Sequence, residues 1–372
     1  MGYNNHEVYF FYSKRDKMII EGLKKSRTGG DEVELLNLIR KLSPESIFDI
    51  ERRYEILRTV NYRQPIGRRS LASELDMGER LVRNEIENLK TLGLLNNNNM
   101  GMYVTDEGSR LIVDLDEFYK NLKGIPELTK KLNQKLKLRK ILVVPGDSGK
   151  DELVLKDMGK AATNYLVKIL KDDDIVGVTG GSTMANVSES INTDNKFPNV
   201  TVIPARGGLG IDLNTQANSV AAKLGEGLRA KYRLLYIPDS LSEDALTAVL
   251  KNQEIKESLE FIKNMSVLLF GIGRADIMAN RRNLSKERIK SLLEEGAVAE
   301  AFGHYFDISG NEVWEYKTVG ITLDNYMKIN EIIGVAGGED KAEAIIALSS
   351  LRKDITLIID EAVGNKIINI LT

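Results

Sequence analysis

The chain has 372 residues, of which 42% are hydrophobic, enough for two or three domains with sizeable cores. Its 52 Lys and Arg against 54 Asp and Glu give a net charge of -2, so any basic surface for nucleic acid must be local. The lack of cysteine excludes disulfides, thiolate metal sites and cysteine nucleophiles and is compatible with a reducing cytoplasm. No apolar run approaches the roughly 18 residues of a membrane span, so we expect a soluble, cytoplasmic protein without membrane contact.

The N-terminal region divides into two predicted segments. Residues 1–30 are polar, contain scattered aromatics and end in Thr-Gly-Gly, which is typical of an extension or an added leader outside the fold. Over residues 31–42, leucine and isoleucine recur at helical spacing. We predict a helix there that pairs with a partner subunit.

Residues 65–90 carry two short helical patterns separated by a tight turn, as in a DNA-binding helix-turn-helix. In the second pattern the apolar residues recur at helical spacing and are predicted to face a core: Val82, Ile86, Leu89 and Leu92. The opposite side is predicted to meet base edges or phosphates through Arg80, Arg83 and Asn84. Arg68 and Arg69 precede this pattern and are predicted to neutralise phosphates.

The surrounding spacing predicts a winged helix-turn-helix domain over 31–112. Its helices are predicted at 51–60, 70–75 and 80–91, and its wing strands at 94–95 and 102–104. The alternative is a small three-helix unit with a solvated, charged face. Residues 113–139 are charged and helical in pattern, and we predict that they form a helical linker.

From residue 140 to 372, apolar strands alternate with helical stretches, the pattern of a doubly wound, mostly parallel, Rossmann-like α/β sheet. The predicted strands are 141–144, 175–179, 200–204, 234–237, 267–270, 332–335 and 356–359. Ligands of such sheets bind beyond the carboxyl ends of the strands, where helix N-termini attract anions.

Glycines and cationic side chains follow four of these strands. Gly180 and Gly181 precede the hydroxyls of Ser182 and Thr183, an arrangement that cradles an anion. The other three clusters contain Arg206, with Gln216 downstream, then Arg274 and Arg281, and finally Lys341. Each cluster alone fits ordinary loop chemistry, but four together predict a small phosphorylated ligand. The spacing is neither GxxxxGK[ST] nor GxGxxG, so we expect neither an NTPase nor a dinucleotide enzyme, and no cofactor.

Several strings also carry a family resemblance, in order over about residues 45–370. They are PIGRRSL, ERLVRNE, VTGGST, PARGGLG, QAN, MANRRN, EAFGHYF and VAGGEDKAEAI. The chain resembles the SorC/DeoR-type sugar-responsive transcription regulators. Val82 stands where the family pattern has leucine, and Ser182 stands where it has threonine.

This resemblance implies a repressor of glycolytic genes that binds operator DNA as a dimer or tetramer and responds to fructose 1,6-bisphosphate. It implies an effector domain similar to glucosamine-6-phosphate deaminase and ribose-5-phosphate isomerase. By the matching motifs, Ser182, Thr183 and Lys341 would hold one phosphate. The other phosphate and the sugar hydroxyls would meet Arg206, Gln216, Arg281 and Glu300.

Glu300 and His304 need separate consideration. A carboxylate repels phosphate but accepts hydrogen bonds from hydroxyls, so we expect Glu300 to recognise the sugar; the alternative is a structural ion pair. His304 precedes a strand-like run and is predicted to pack in the core. No group shows metal-ligand spacing, so we predict no metal site.

Two other functions remain open. The α/β domain could be a sugar-phosphate isomerase or deaminase with an appended DNA-binding module, since fold alone does not decide function. Such an enzyme would need a base, for which only Glu300 and His304 are candidates, and we predict no catalytic residue. The winged unit could instead bind protein rather than DNA.

Overall fold

The computed structural model describes residues 36, 38–209, 212–239 and 241–372, with the side chain of Glu243 left out. The chain separates into two compact units, Met1–Leu122 and Lys123–Thr372. Residues 1–30, predicted as an extension, lie outside the described residues. Within the helix predicted over 31–42, residues 36 and 38–42 are helical.

The described part of the first unit is helical except for one hairpin. Strands β1 (Leu95–Asn97) and β2 (Met102–Val104) pair antiparallel, with Leu95 opposite Val104. The helices are α1 (Pro44–Arg63), α2 (Arg68–Glu74), α3 (Glu79–Thr91), α4 (Asp106–Asp114) and α5 (Asp116–Leu122). Helices α1, α2 and α3 and the hairpin are the three helices and the wing strands that the sequence predicts over 51–104, in the predicted order; α4 and α5 follow them.

An apolar core joins α1, α2, α3 and the hairpin. From α3 it takes Val82, Ile86 and Leu89, which are nearly inaccessible to solvent. Leu92, which we predicted to face this core, is 54% exposed, and that prediction is wrong. The reason is that α3 ends at Thr91, so Leu92 is the capping residue and leaves the helical stripe.

The second unit is built on a seven-stranded, wholly parallel sheet. The strand order is β3-β13-β12-β7-β4-β5-β6. The strands are β3 (Lys140–Val144), β4 (Ile175–Val178), β5 (Thr201–Pro204), β6 (Lys231–Tyr232), β7 (Val267–Gly271), β12 (Glu331–Ala336) and β13 (Ile355–Asp360).

Helices cover both faces of this sheet. Leu268 and Phe270 of β7 belong to one apolar core, while Val267 and Leu269 belong to the other, as expected for a strand whose successive side chains point to opposite faces. The helices are α6 (Ile125–Leu136), α7 (Glu152–Ile169), α8 (Ser182–Glu189), α9 (Ala217–Leu228), α10 (Glu243–Val249), α11 (Gln253–Lys263), α12 (Ala275–Arg281), α13 (Lys286–Glu294), α14 (Leu323–Lys328), α15 (Ala342–Leu351) and α16 (Glu361–Leu371). The predicted doubly wound α/β class is confirmed.

The strand predicted over 234–237 is wrong. The edge strand β6 ends at Tyr232, and the chain then leaves the sheet. Leu235 explains why: its N–H donates to Asn218 Oδ1 at 2.9 Å, and its carbonyl accepts from Asn218 Nδ2 at 3.1 Å. Because the Asn218 side chain forms hydrogen bonds with both the N–H and the carbonyl of Leu235, these groups are not available for pairing with a strand.

A smaller antiparallel sheet lies in the chain between β7 and β12, and the sequence analysis missed it. Its strand order is β11-β10-β9-β8. The strands are β8 (Gly273–Arg274), β9 (Ala299–Ala301), β10 (His304–Phe306) and β11 (Glu312–Glu315).

The segment predicted as a linker, 113–139, contains α5 in the first unit and α6 in the second. Helix α6 buries Leu128, Leu132 and Leu136 in the core of the second unit. The predicted domain boundaries stay predictions. In the described part of the chain, no helix is both long enough and apolar enough to cross a membrane.

Candidate functional site

A cavity of about 590 Å³ lies beyond the carboxyl ends of β4, β5 and β7. Seven of the eight predicted ligand residues line it: Gly181, Ser182, Thr183, Arg206, Arg281, Glu300 and Lys341. They come from loops far apart in the chain, which the parallel sheet brings to one edge. Gln216, the eighth, is not among the lining residues; its Nε2 donates to the carbonyl of Leu209 at 3.3 Å.

The turn after β4 forms one wall. Gly181 has φ of 112°, a conformation that favours glycine, and it caps α8 without a side-chain hydrogen bond. A Cβ on Gly180 would lie 2.6 Å from the carbonyl oxygen of Thr215, so glycine is required for this close approach. Because the first N–H groups of a helix have no partner within the helix, Ser182 and Thr183 open α8 at a position suited to an anion.

Two further cationic side chains line the same cavity. Neither Arg281 nor Lys341 forms an ion pair with a carboxylate among residues that the structure describes. Burial lowers the pKa of the Lys341 amine; Asp340 and Asp360 oppose this effect, while Arg281 and Arg274 add to it. Arg274 differs, because it pairs with Asp276 at 2.7 Å and with Asp340 at 2.8 Å. Lys341 therefore has no directly paired carboxylate in the described chain, and a bound phosphate would supply that partner.

Arg206 and Glu300 belong to a buried ion-pair cluster, which also contains Asp239 and Arg282. Arg206 Nε donates to Asp239 Oδ1 at 2.7 Å, and Arg282 Nη2 donates to Glu300 Oε1 at 2.9 Å. Burial alone raises the pKa of the Glu300 carboxyl, but Arg206 and Arg282 outweigh it and hold that pKa below its ordinary value. Glu300 is thus an ionised member of an ion pair, the alternative weighed for it above, and its role toward sugar hydroxyls stays a prediction.

Sequence reasoning missed Asp239 and Arg282. Arg282 follows Arg281 directly, and only the first of the two lines the cavity. The end of α12 separates them: Arg281 is its last residue, and Arg282 caps it with a side chain only 1% exposed. The sequence shows two adjacent arginines here, but it does not show which of them lines the cavity and which is buried.

His304 begins β10 and is half-buried rather than fully packed in the core. Its Nδ1 lies 3.2 Å from Glu312 Oε2. The possible ligand atoms of His304, Glu312 and Glu315 lie within 4.8 Å of one another, with both carboxylates exposed. This grouping arises from cross-strand pairing, which the sequence spacing could not reveal.

The predicted DNA-binding residues are all exposed on the first unit: Arg68, Arg69, Arg80, Arg83 and Asn84. On the inner side of α3, Glu85 is only 5% exposed and pairs with Arg52 at 2.9 Å and with Arg53 at 2.7 Å, both on α1. These ion pairs fix α3 to α1. They leave the opposite face of α3, with Arg80 and Arg83, to solvent.

Two family models match consecutive parts of the chain. The model of the CggR N-terminal DNA binding domain matches residues 50–119, and the Sugar-bind model of a sugar-binding domain matches residues 120–369. The central glycolytic genes regulator of Bacillus subtilis is 38% identical over 335 residues, which are 90% of this chain and 98% of that protein. This chain belongs to the SorC family of transcriptional regulators. The regulator of Priestia megaterium with the same name is equally similar, at 38% identity over 335 residues.

Solved structures agree with this assignment. A SorC family transcriptional regulator from Enterococcus faecalis superimposes with a TM-score of 0.61 at 35% identity, covering 65% of this chain and 99% of that one. The full-length sorbitol operon regulator from Klebsiella pneumoniae shares the fold, with a TM-score of 0.61 at 19% identity over 88% of this chain and 99% of that one. The SorC regulator described here is therefore a sugar-responsive, DNA-binding regulator and not an enzyme.

Proposed function

We propose that this SorC regulator is a repressor of glycolytic genes whose operator binding is controlled by fructose 1,6-bisphosphate. The observation that carries the proposal is that one cavity is lined both by a helix start without a side-chain cap and by two cations that lack carboxylate partners in the described chain. A dianionic phosphate suits both features, because it accepts hydrogen bonds from a helix start and neutralises cations.

One phosphate is assigned to Ser182, Thr183 and Lys341, in the half of the cavity formed by α8 and the turn before α15. The second phosphate and the sugar hydroxyls are assigned to Arg206, Gln216, Arg281 and Glu300. Gln216 enters this assignment by its matching motif alone, because it is not among the residues that line the cavity and its Nε2 donates to the carbonyl of Leu209. The similarity to proteins named central glycolytic genes regulators supports a glycolytic metabolite as the effector.

The first unit is proposed to bind the operator as a winged helix-turn-helix. Arg80, Arg83 and Asn84 on α3 would contact base edges or phosphates in the major groove, with Arg68 and Arg69 neutralising phosphates. The regulator would act in the cytoplasm, where the chromosome lies. A dimer or tetramer is proposed, because paired recognition helices match paired half-sites on DNA.

A thermal-shift panel of glycolytic phosphates tests the effector. A ligand that binds only the folded state stabilises it by RT ln(1 + [L]/Kd), so the effector should raise the melting temperature in proportion to the logarithm of its concentration. We expect fructose 1,6-bisphosphate to give a larger shift than fructose 6-phosphate or fructose 1-phosphate. Equal shifts from all three compounds, or none, would contradict the proposal.

A further inference from the structure

Asp239 and Arg282 stand behind the cavity wall formed by Arg206 and Glu300. Arg206 and Glu300 line the cavity, whereas Asp239 and Arg282 are not among its described lining residues. Both oxygens of Asp239 are engaged: Oδ1 accepts from Arg206 Nε at 2.7 Å, and Oδ2 accepts from Arg282 Nε at 3.3 Å. One carboxylate therefore joins the two arginines of the buried ion-pair cluster.

The backbone of Asp239 is fixed on both sides. Its N–H donates to the carbonyl of Gly208 at 2.8 Å, and its own carbonyl accepts from the N–H of Val319 at 2.7 Å. Gly208 lies only two residues beyond Arg206, so the same loop holds both the arginine and the carboxylate that orients it. The Asp239 side chain is only 3% exposed and thus has little freedom to move away.

Arg206 retains one unused group of donors. Its Nε donates a hydrogen bond to Asp239, and its Nη1 lies 3.5 Å from Glu300 Oε1. Nη2 is buried and has no hydrogen-bond partner within the described chain. Because the guanidinium is a rigid plane, anchoring Nε determines where the two remaining nitrogens point. We propose that Asp239 is a positioning residue that orients Arg206 toward the second phosphate and so sets the preference for a sugar bisphosphate over sugar monophosphates.

Charge alone does not give Arg206 this role. The buried ion-pair cluster contains two guanidinium groups and two carboxylates, so Arg206 is already compensated. Of the cationic residues that line the cavity, Lys341 and Arg281 form no ion pair with a carboxylate in the described chain. What Arg206 contributes is directed hydrogen bonds, whose strength depends on orientation.

The substitution Asp239→Asn distinguishes an effect of charge from an effect of positioning, because the two change bisphosphate affinity in opposite directions. Removal of a negative charge would by Coulomb attraction alone tighten the binding of every anionic ligand. Loss of positioning instead weakens only the ligand that uses Arg206. We expect isothermal titration to show about ten-fold weaker binding of fructose 1,6-bisphosphate, with the affinity for fructose 6-phosphate or fructose 1-phosphate, whichever binds more tightly, changed by less than about two-fold.

Asp239→Glu keeps the charge and displaces the carboxylate by one methylene group, and we expect the same selective loss. In an Arg206→Ala background, Asp239→Asn should have no further effect on bisphosphate affinity, because the group it orients is gone. Unchanged or tighter bisphosphate binding, equal loss for both ligand classes, or an additive loss in the double variant would each overturn the proposal.

Circular dichroism of the full chain monitors folding. If neither Asp239 variant folds, Asp239 is a structural residue and the positioning role is overturned. The inference rests on the proposed function, and the two fail differently. If the wild type does not prefer the bisphosphate, both the proposed effector and the role of Asp239 are overturned. If the wild type prefers it and Asp239→Asn keeps that preference, only the role of Asp239 is overturned.

Discussion

Lys341 is a buried cation of the cavity whose protonation a ligand would change. Burial lowers the pKa of its amine, and a bound phosphate would favour its charged form. Ligand binding should therefore raise the lowered pKa and take up a proton. The affinity should fall as pH rises through the ligand-free pKa, which lies below the ordinary lysine value of about 10.4.

Titration calorimetry in buffers of different ionisation enthalpy measures this uptake. We expect proton uptake in the alkaline range for the wild type and for the matched control Lys290→Gln, whose lysine is 76% exposed at its side chain. Lys341→Gln should bind sugar phosphates more weakly and without that uptake. Equal uptake by Lys341→Gln would show that another group takes up the proton.

Glu85 is a second residue with a specific pH signature. Burial raises the pKa of its carboxyl, but the hydrogen bonds and charges of Arg53 and Arg52 outweigh that effect and lower it. For a lowered carboxyl pKa, the stabilisation is full above the unfolded value of about 4.3 and is lost as pH falls through the folded value. Glu85→Gln should destabilise the first unit by about 1–3 kcal/mol near neutral pH, and the difference should shrink in acid.

Urea unfolding followed by circular dichroism tests this prediction. Trp314, the one tryptophan of the chain, lies in the second unit, so its fluorescence transition should stay unchanged. Glu87→Gln is the matched control on the same helix, with a side chain 60% exposed. Equal destabilisation by Glu87→Gln would contradict the role given to the buried ion pairs.

For single residues, the sequence predicted those that line the cavity better than those that support the lining residues from the interior. Arg206 and Lys341 follow strand ends within a few residues of glycines, and the topology of a parallel sheet brings such positions together. Asp239 follows a segment that we predicted to be a strand. Arg282 is the residue after Arg281, at the end of α12, and has the same side chain. Their roles arise from tertiary contacts, which leave no local pattern.

Among the elements, α3 carries the clearest separation of faces. Its inner side packs on the core and holds Glu85, while Arg80, Arg83 and Asn84 are exposed. Arg83→Ala should weaken operator binding about ten-fold and reduce the slope of log affinity against log salt by about one, if Arg83 contacts a phosphate. The affinity for sugar phosphate should not change.

Arg110→Ala is the matched control for this measurement, because Arg110 lies on α4 in the same unit and its side chain is 72% exposed. Filter binding or fluorescence anisotropy at several salt concentrations gives both the affinity and the slope. An equal loss in the two variants would indicate general electrostatic attraction rather than contact through α3.

The elements also show where sequence patterns stop being informative. Strands buried on both faces, such as β7 and β13, read as continuous apolar runs and were predicted within one residue at each end. The strands of the smaller sheet have two to four residues, too few to establish an alternation. Residues 234–237 are apolar enough for a strand, but Asn218 bonds both backbone groups of Leu235, a tertiary contact that the local pattern does not show.

For the whole molecule, a regulator of this kind couples ligand binding to DNA binding. A ligand shifts an equilibrium only if it binds the DNA-competent and DNA-incompetent states with different affinity. Linkage also demands reciprocity: the factor by which fructose 1,6-bisphosphate changes operator affinity must equal the factor by which the operator changes bisphosphate affinity. Anisotropy titrations in both directions measure the two factors, and unequal values would exclude a simple two-state coupling.

The most direct test is operator affinity with and without saturating fructose 1,6-bisphosphate, in the wild type, Lys341→Gln and Lys290→Gln. Without ligand, we expect equal operator affinity for all three proteins. With the ligand, operator affinity should change in the wild type and in Lys290→Gln but not in Lys341→Gln at the same concentration. If Lys341→Gln responds as fully as the wild type, the cavity described here is not where the effector acts.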